Sequence, residues 1–574
     1  MPKRTRGAIN PVPATSVSLA STAAATIAPN QPFRLMLGDQ AAVLAHTLDF
    51  LSAQDATAIS LSSQSLNGAV KSTSFNALWK QHIQRDYPGL VTQQPSQQAY
   101  YQTARLYQDQ ALSFLLLSSH KIKDYDYSPI KQAANDFKTS TLKQRADYLS
   151  QWNHDLGLHQ LKNANHKDVQ LQGLTELTPA VMQRLTAINQ HTPIMVLSIT
   201  NCYLPQLPKA LINFLKACPQ LQELYLSHNQ LQSLPKILLQ TCIQLQWLNL
   251  DNNQLQSLPK ILLQTCTQLQ WLNLDNNQLQ SLPKILLQAC PQLERLNLDN
   301  NQLQSLPKIL LQTCAQLRKL NLNNNQLQSL PKILLQTCAQ LRGLNLNNNQ
   351  LQSLPETLLQ TCIQLQVLNL SHNKLQSLPE TLLQACAQLQ GLDLSHNQLQ
   401  SLPETLFQTC TQLEFFDLIH NQLQSLPKNL LQACTQLQWL SLSFNQLQSL
   451  PKNLLQACTQ LQWVLLDNNQ LQSLAETLLQ TCTQLEVLDL NNNQLQSLAG
   501  ILLQHCTKLE SLNLSHNHLI TVTQNNFSHL SKTSVLNIKD QTPVGTSSSS
   551  AIRTEQKIAE NEDEPPQKKM RPNR

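Results

Sequence analysis

Cysteine and histidine are the residues best able to do chemistry in this 574-residue chain, and both recur with a fixed spacing. Of 14 cysteines, all but Cys202 occupy one column at 24-residue steps, from Cys218, Cys242 and Cys266 through to Cys506. Thiols so arranged could bridge, hold zinc or act as nucleophiles. A zinc site of the usual kind needs a CxxC pair, and none occurs. In a stacked repeat, neighbouring cysteines would lie about one strand spacing, ~4.8 Å, apart. Their Cβ vectors would run parallel, which leaves the Cβ atoms too far apart for the usual ~3.8 Å of a disulfide. A ladder of free thiols filling a core fits better, and it implies a reducing, cytoplasmic-type compartment. His372, His396 and His420 stack at the same period, in place of the Asn found in other units. No supporting pattern for metal ligation accompanies them, so they read as polar turn residues. No Ser-His-Asp order, phosphate loop or zinc helix stands out, and 10 Gly leave little room for phosphate loops. The chain therefore reads as a non-enzyme with no cofactor and no metal.

The element that positions these columns is a 24-residue unit, LQWLNLDNNQLQSLPKILLQTCTQ at 245–268, repeated thirteen times from Leu221 to about 530. A fixed period of this length means a solenoid. Within a unit, Leu248-Asn249-Leu250 alternates apolar and polar, a short strand with one buried face. Leu255 and Leu258 turn inward after it. Pro259 ends the extended stretch and can open a helical turn, because its missing N–H costs least at a first helical position. Ile261, Leu262, Leu263 and Cys266 are then expected on a short outer helix. One unit cannot bury its own leucines, but stacked units can. The Asn column, Asn229, Asn253 and onward to Asn517, has two donors and an acceptor per side chain. At the corner after the strand it can satisfy backbone groups that no ladder reaches. Ile194, Leu197, Ile199, Cys202, Leu204 and Leu207 fit a degenerate first unit, and Leu536 and Ile538 a last strand.

The unit LxxLxLxxNxLxxLPxxLLQxCxQ resembles the leucine-rich repeat family over more than half the chain. That resemblance implies an α/β fold: a curved parallel sheet with short helices outside, here preceded by a small all-α N-terminal region. Parallel strands line the concave face of such a solenoid, and the third residue of each unit projects there. Down the array that column holds Trp247, Trp271, Arg295 and Lys319, then Phe415, Trp439 and Trp463, with Phe444 nearby. Four of the chain's six Trp fall in it. Large aromatics and Arg are the usual interface hot spots, so these seven are the candidate target-binding residues. Drift in a duplicated array, with Trp shielding neighbouring strands, is the other reading. The residue after Pro forms an edge: Lys at 236, 260, 284, 308 and 332, Glu at 356, 380 and 404, Lys at 428 and 452, then Glu476. It reads as a solvated edge that could also steer a charged partner.

Composition narrows the partners. A net charge of +6 is modest for this length and gives no nucleic-acid footprint. No run of 18 apolar residues exists, so no membrane span is expected. Residues 1–32 are small, Pro-interrupted and aperiodic, and residues 542–574 run Ser-rich, acidic, then basic; both read as disordered. The first lacks the apolar core of a secretory signal.

Residues 33–90 carry a second pattern. Val43, Leu44, Thr47, Leu48 and Leu51 fall at helical spacing, Ser52 and Asp55 restart a helix, and Leu78, Trp79, Ile83 and Tyr87 mark a third helix ended by Pro88. A plain three-helix cap would suffice. The order FLSxxD, serine-rich segment, LWKxxxxRDYP also resembles an F-box, although Leu37-Gly38 stands where an F-box opens with Leu-Pro and a late second-helix Trp is missing. The resemblance implies docking on a Skp-family adaptor of a cullin–RING ubiquitin ligase, through Leu44, Leu48, Phe50, Leu51, Ile59 and Leu61. Residues 91–193 read as a helical linker and cap, and 194–541 as the solenoid. The combined order resembles F-box/leucine-rich-repeat proteins. The near-identical units and the tail glutamates Glu555, Glu560, Glu562 and Glu564 are similar to Legionella-type bacterial effectors, secreted into a host cytosol. The alternative is a repeat scaffold with no link to ubiquitin.

Overall fold

The computed structural model describes residues 142–164, 167–499, 501–519, 527 and 535–541. The expected F-box-like module and both expected disordered ends lie outside these residues. Helix α1 (Leu142–Asn163) comes first, then β1 (Asp168–Gln172), α2 (Pro179–His191), β2 (Val196–Thr200) and α3 (Lys209–Lys216). Short strands then follow, one per repeat: β3 (Glu223–Tyr225), β4 (Trp247–Asn249), β5 (Trp271–Asn273), β6 (Arg295–Asn297), β7 (Lys319–Asn321), β8 (Gly343–Asn345) and β9 (Val367–Asn369). The series continues through β10 (Gly391–Asp393), β11 (Phe415–Asp417), β12 (Trp439–Ser441), β13 (Trp463–Leu465), β14 (Val487–Asp489), β15 (Ser511–Asn513) and β16 (Val535–Asn537). All 16 form one parallel sheet in chain order.

The middle residue of each short strand points into the core: Leu248 is fully buried, while Trp247 and Asn249 face the other way. One continuous apolar cluster runs the length of the array, built from the leucines of every unit and the cysteine column. The Asn column locks each corner. Asn253 Nδ2 reaches the carbonyls of Leu226, Leu250 and Asp251 at 2.9, 3.0 and 3.1 Å. Its Oδ1 accepts the Leu231 N–H at 3.0 Å. Each Asn thus ties its own corner to the preceding unit. The column is continued by other residues at both ends. Cys202 places its thiol 3.4 Å from the Thr200 carbonyl, and Gln541 repeats the full set on Leu514, Ile538, Lys539 and the Leu519 N–H. The residue before each Asn has positive φ, between 52° and 58° along the column from His228 to His516. Asn and His tolerate that left-handed conformation.

The structure departs from the sequence expectation in two places. The outer side of the regular units is not helical. Leu262 N–H bonds to the Pro259 carbonyl, Gln264 to Ile261 and Cys266 to Leu263, each spanning three positions. Those tight turns roll Leu262 and Leu263 inward and leave Ile261 exposed, rather than on an inward helical face. Helices appear where the unit is longer: the register steps from Val169 to Leu197 and from Leu197 to Leu224 exceed the later, regular ones and make room for α2 and α3. The second departure is β1, a strand inside the stretch expected to be wholly helical. Its sequence DVQLQ alternates correctly, and it pairs with β2 along its whole length. Helix α1 covers this end. Gln160 clamps Gln172 at both the N–H and the carbonyl, and buried Asn153 bonds Thr175 through both of its amide atoms. Gly157 meets Val181 so closely that any Cβ would clash with it.

Asn325→Ala is expected to lower stability by about 1–3 kcal/mol, since it strands the buried Leu303 N–H and the Leu298 and Leu322 carbonyls. Gln326→Ala, at the next position and exposed, should change it by less than about 0.5 kcal/mol. Urea denaturation of the two variants beside the parent chain measures the difference.

Candidate partner-binding surface

The first residue of each strand stands on the sheet face opposite the leucine core, one strand spacing from its equivalents. Register places Trp247, Trp271, Arg295 and Lys319 on four consecutive strands. The two indoles meet edge to face, with centroids 5.1 Å apart and planes at 67°. Phe415, Trp439 and Trp463 occupy three consecutive strands further along. Their rings stack nearly parallel, at 6.0 and 5.1 Å. The two clusters therefore present different chemistry. The first offers Trp247, 38% exposed, with Arg295 and Lys319 two and three strands further along. The second is a half-buried ring stack, and its Trp439 and Trp463 indole N–H groups meet no hydrogen-bond partner among the described residues.

Sequence reading missed the next column. Asp251, Asp275 and Asp299 lie two residues past the ends of β4, β5 and β6, three of the strands that carry the first cluster. Burial pushes the Asp299 carboxyl up to about 6, against the lowering effect of the Asn323 N–H bonded to it at 2.7 Å. Burial also raises Asp275, despite the Asn300 amide at 3.0 Å. The repeated LxLD of these units was the available signal, but an Asp beside a strand reads as solvated until its burial is seen.

His372, His396, His420 and Phe444 form one stack at the positive-φ corner, with centroids 4.1, 4.5 and 4.2 Å apart. Burial and the two flanking imidazoles lower the His396 pKa. They are turn residues in the place the sequence put them. Phe444 is the exception in type: an aromatic at φ 54°, 41% exposed. Among the described residues no group of three or more His, Cys, Asp or Glu is placed to hold a metal ion.

All 14 cysteines are free and buried. Burial pushes their thiols up, Cys314 and Cys362 to about 12. Several donate to the carbonyl of the preceding column member, as Cys338 does to Cys314 at 3.8 Å. A thiol held protonated is a poor nucleophile, so the column is packing material. The adaptor-facing candidates Leu44, Leu48, Phe50, Leu51, Ile59 and Leu61 lie outside the described residues. No described helix is long and apolar enough to cross a membrane.

The raised Asp299 pKa has a definite sign. A carboxyl that holds its proton more tightly folded than unfolded loses stability as pH rises from about 4 to about 6. Asp299→Asn, the amide found at the equivalent Asn323 and Asn347, should therefore raise the melting temperature at pH 7.5. The gain should vanish near pH 4. Thermal denaturation at the two pH values checks it.

The sequence matches the leucine rich repeat family model over residues 194–255, 219–279, 267–327, 291–351, 339–399, 387–447 and 459–519. No curated protein matches the chain. A leucine-rich repeat protein of Leptospira interrogans is similar at 32% identity, over 66% of this chain and 97% of that one, with a TM-score of 0.57. The Drosophila Toll–Spatzle complex in its glycosylated form shares the fold at 24% identity, over 61% of this chain and 50% of that one, with a TM-score of 0.52. With its unit matched over more than half its length, the chain belongs to the leucine-rich repeat family.

Proposed function

We propose that this chain is a protein-interaction subunit that grips a protein target on the concave strand face and delivers it to a ubiquitin ligase. The observation that carries the first half is the pair of aromatic clusters, Trp247/Trp271 with Arg295 and Lys319, and Phe415/Trp439/Trp463. Each sits on consecutive strands, in a column whose other members from β3 to β15 are the smaller or acidic Glu223, Gly343, Val367, Gly391, Val487 and Ser511. Rigid aromatics grouped at one place are what interface hot spots are made of, and leucine-rich repeat solenoids are typically binding scaffolds. The second half rests on the F-box-like order in residues 33–90, where Leu44, Leu48, Phe50, Leu51, Ile59 and Leu61 would meet a Skp-family adaptor by helix-on-helix burial. The chain acts as a recruiting subunit in this reading, and catalysis belongs to the ligase it joins. The free, buried thiol column suits a reducing compartment. Its near-identical units and acidic tail suit a bacterial effector working in a host cytosol.

Mass spectrometry of ubiquitin-modified peptides from cells expressing the full chain tests both halves. A set of modified targets should appear with the parent chain. It should disappear with Leu48→Asp/Leu51→Asp, and equally with Trp439→Ser/Trp463→Ser. A set that ignores Leu48 and Leu51 would leave a repeat scaffold with no ubiquitin link. A set that ignores the tryptophans would move the target away from the strand face.

A further inference from the structure

A second surface lies on the edge just past each proline, away from the strand face. In the units from 236 to 333 this edge reads Lys-Ile five times in register, Lys236-Ile237 first and Lys332-Ile333 last. All five Lys are exposed. The five Ile are 40–46% exposed, although the two leucines that follow each of them are buried. A single exposed isoleucine needs no explanation, but a contiguous row of five beside a row of five cations does.

The same position in other units shows what it holds when it serves the fold. Thr357, Thr381 and Thr405 each donate from Oγ1 to the backbone carbonyl of the preceding unit, at 3.0, 3.1 and 2.9 Å. Isoleucine gives up that hydrogen bond and gains only an exposed apolar chain. Charge changes with it: Thr357, Thr381 and Thr405 follow Glu356, Glu380 and Glu404. From 236 to 405 the edge is thus divided into a cationic, apolar stretch and an acidic, polar one, and beyond it Lys428-Asn429 and Lys452-Asn453 are cationic but polar.

We propose that the Lys236–Ile333 ridge is a docking site for an acidic amphipathic α-helix of a partner protein, laid along the solenoid axis. Charge complementarity selects acidic groups opposite the lysine row. Spacing selects a helix: one turn rises about 5.4 Å, close to the ~4.8 Å between stacked strands, so each turn can offer one apolar and one acidic residue to each unit. Five units match about five turns. The ends of long lysine side chains absorb the small mismatch. An anionic membrane is disfavoured, because the same edge continues into Glu356, Glu380 and Glu404, and a flat anionic surface seated on the lysines would meet them. The row also lacks the Trp and Phe that anchor interfacial surfaces.

The probe is a synthetic, end-blocked helix of about five turns with Leu and Glu at i, i+3, i+4 and i+7, labelled for fluorescence anisotropy and titrated with the full chain. Binding should weaken by roughly tenfold or more in Lys260→Glu/Lys308→Glu and in Ile261→Thr/Ile309→Thr. The second pair installs the residue found at the equivalent Thr357, so the array stays folded. Trp439→Ser/Trp463→Ser should leave it unchanged, which separates this site from the strand face. A peptide of the same composition with its spacing scrambled should bind the parent chain no better than the helix binds the variants. No binding up to millimolar peptide, equal binding of the scrambled peptide, or indifference to both pairs of substitutions would overturn the proposal. Binding of phosphatidylserine vesicles with the same dependence on Lys260 and Lys308 would overturn it in favour of a lipid surface.

Discussion

The array depends on one buried amide per unit. From Asn253 to Asn517 the Asn at each corner accepts the N–H of a leucine in the unit before it and donates to carbonyls of both units, as Asn349 does with Leu327, Leu322, Leu346 and Asn347. Without it, backbone groups at the corner would be buried with no partner, since so short a strand reaches only a few of them. The Asn also explains its neighbour. To aim the amide inward the chain turns through a left-handed residue, and that position accepts Asn, His, Asp and, at strain, Phe444. From Cys202 at one end to Gln541 at the other, the same polar corner is rebuilt with whatever side chain can reach.

Because the interior is so constrained, variation is confined to positions that the fold does not need. Leucines and thiols repeat with little change, and their burial leaves the thiols protonated and out of reach. The strand-face column and the edge after the proline are free to differ between units. On the strand face they gather into an aromatic–cationic cluster and a stacked aromatic cluster; on the edge they separate into a Lys-Ile block, a Glu-Thr block and then Lys-Asn at 428 and 452. A solenoid of this kind offers each partner a long surface whose chemistry changes from place to place over an unchanging core.

How much of this was legible beforehand followed from periodicity. The fixed step of the repeat located the parallel sheet, the Asn corner, the thiol ladder and the adjacency of Trp439 with Trp463, because a strict repeat turns sequence position into spatial column. It failed where the period fails. The strand at Asp168–Gln172 belongs to a longer, irregular unit, so its alternation was hidden in a stretch that otherwise reads as helical. It also failed where two conformations share one pattern. The run Ile261-Leu262-Leu263 suits one face of a helix, yet the short unit allows only tight turns, and these rotate Ile261 outward. Asp299 could not be recognised as perturbed because its burial comes from neighbouring units, not from its own. The candidate adaptor residues from Leu44 to Leu61 rest on sequence resemblance alone.

The array orders its inside and outside: thiols and leucines within, Trp247 and the edge isoleucines without. Hydroxyl-radical footprinting of the intact chain, read residue by residue by mass spectrometry, measures it directly. Sulfur is readily oxidised when exposed, so an unfolded chain would be modified at its cysteines. In the folded chain oxidation is expected at Trp247, Phe444 and Ile261, with the column from Cys218 to Cys506 spared until denaturant is added. Early oxidation of that column, with Trp247 and Ile261 protected, would mean that the thiols do not lie in the core and that the ordering is reversed.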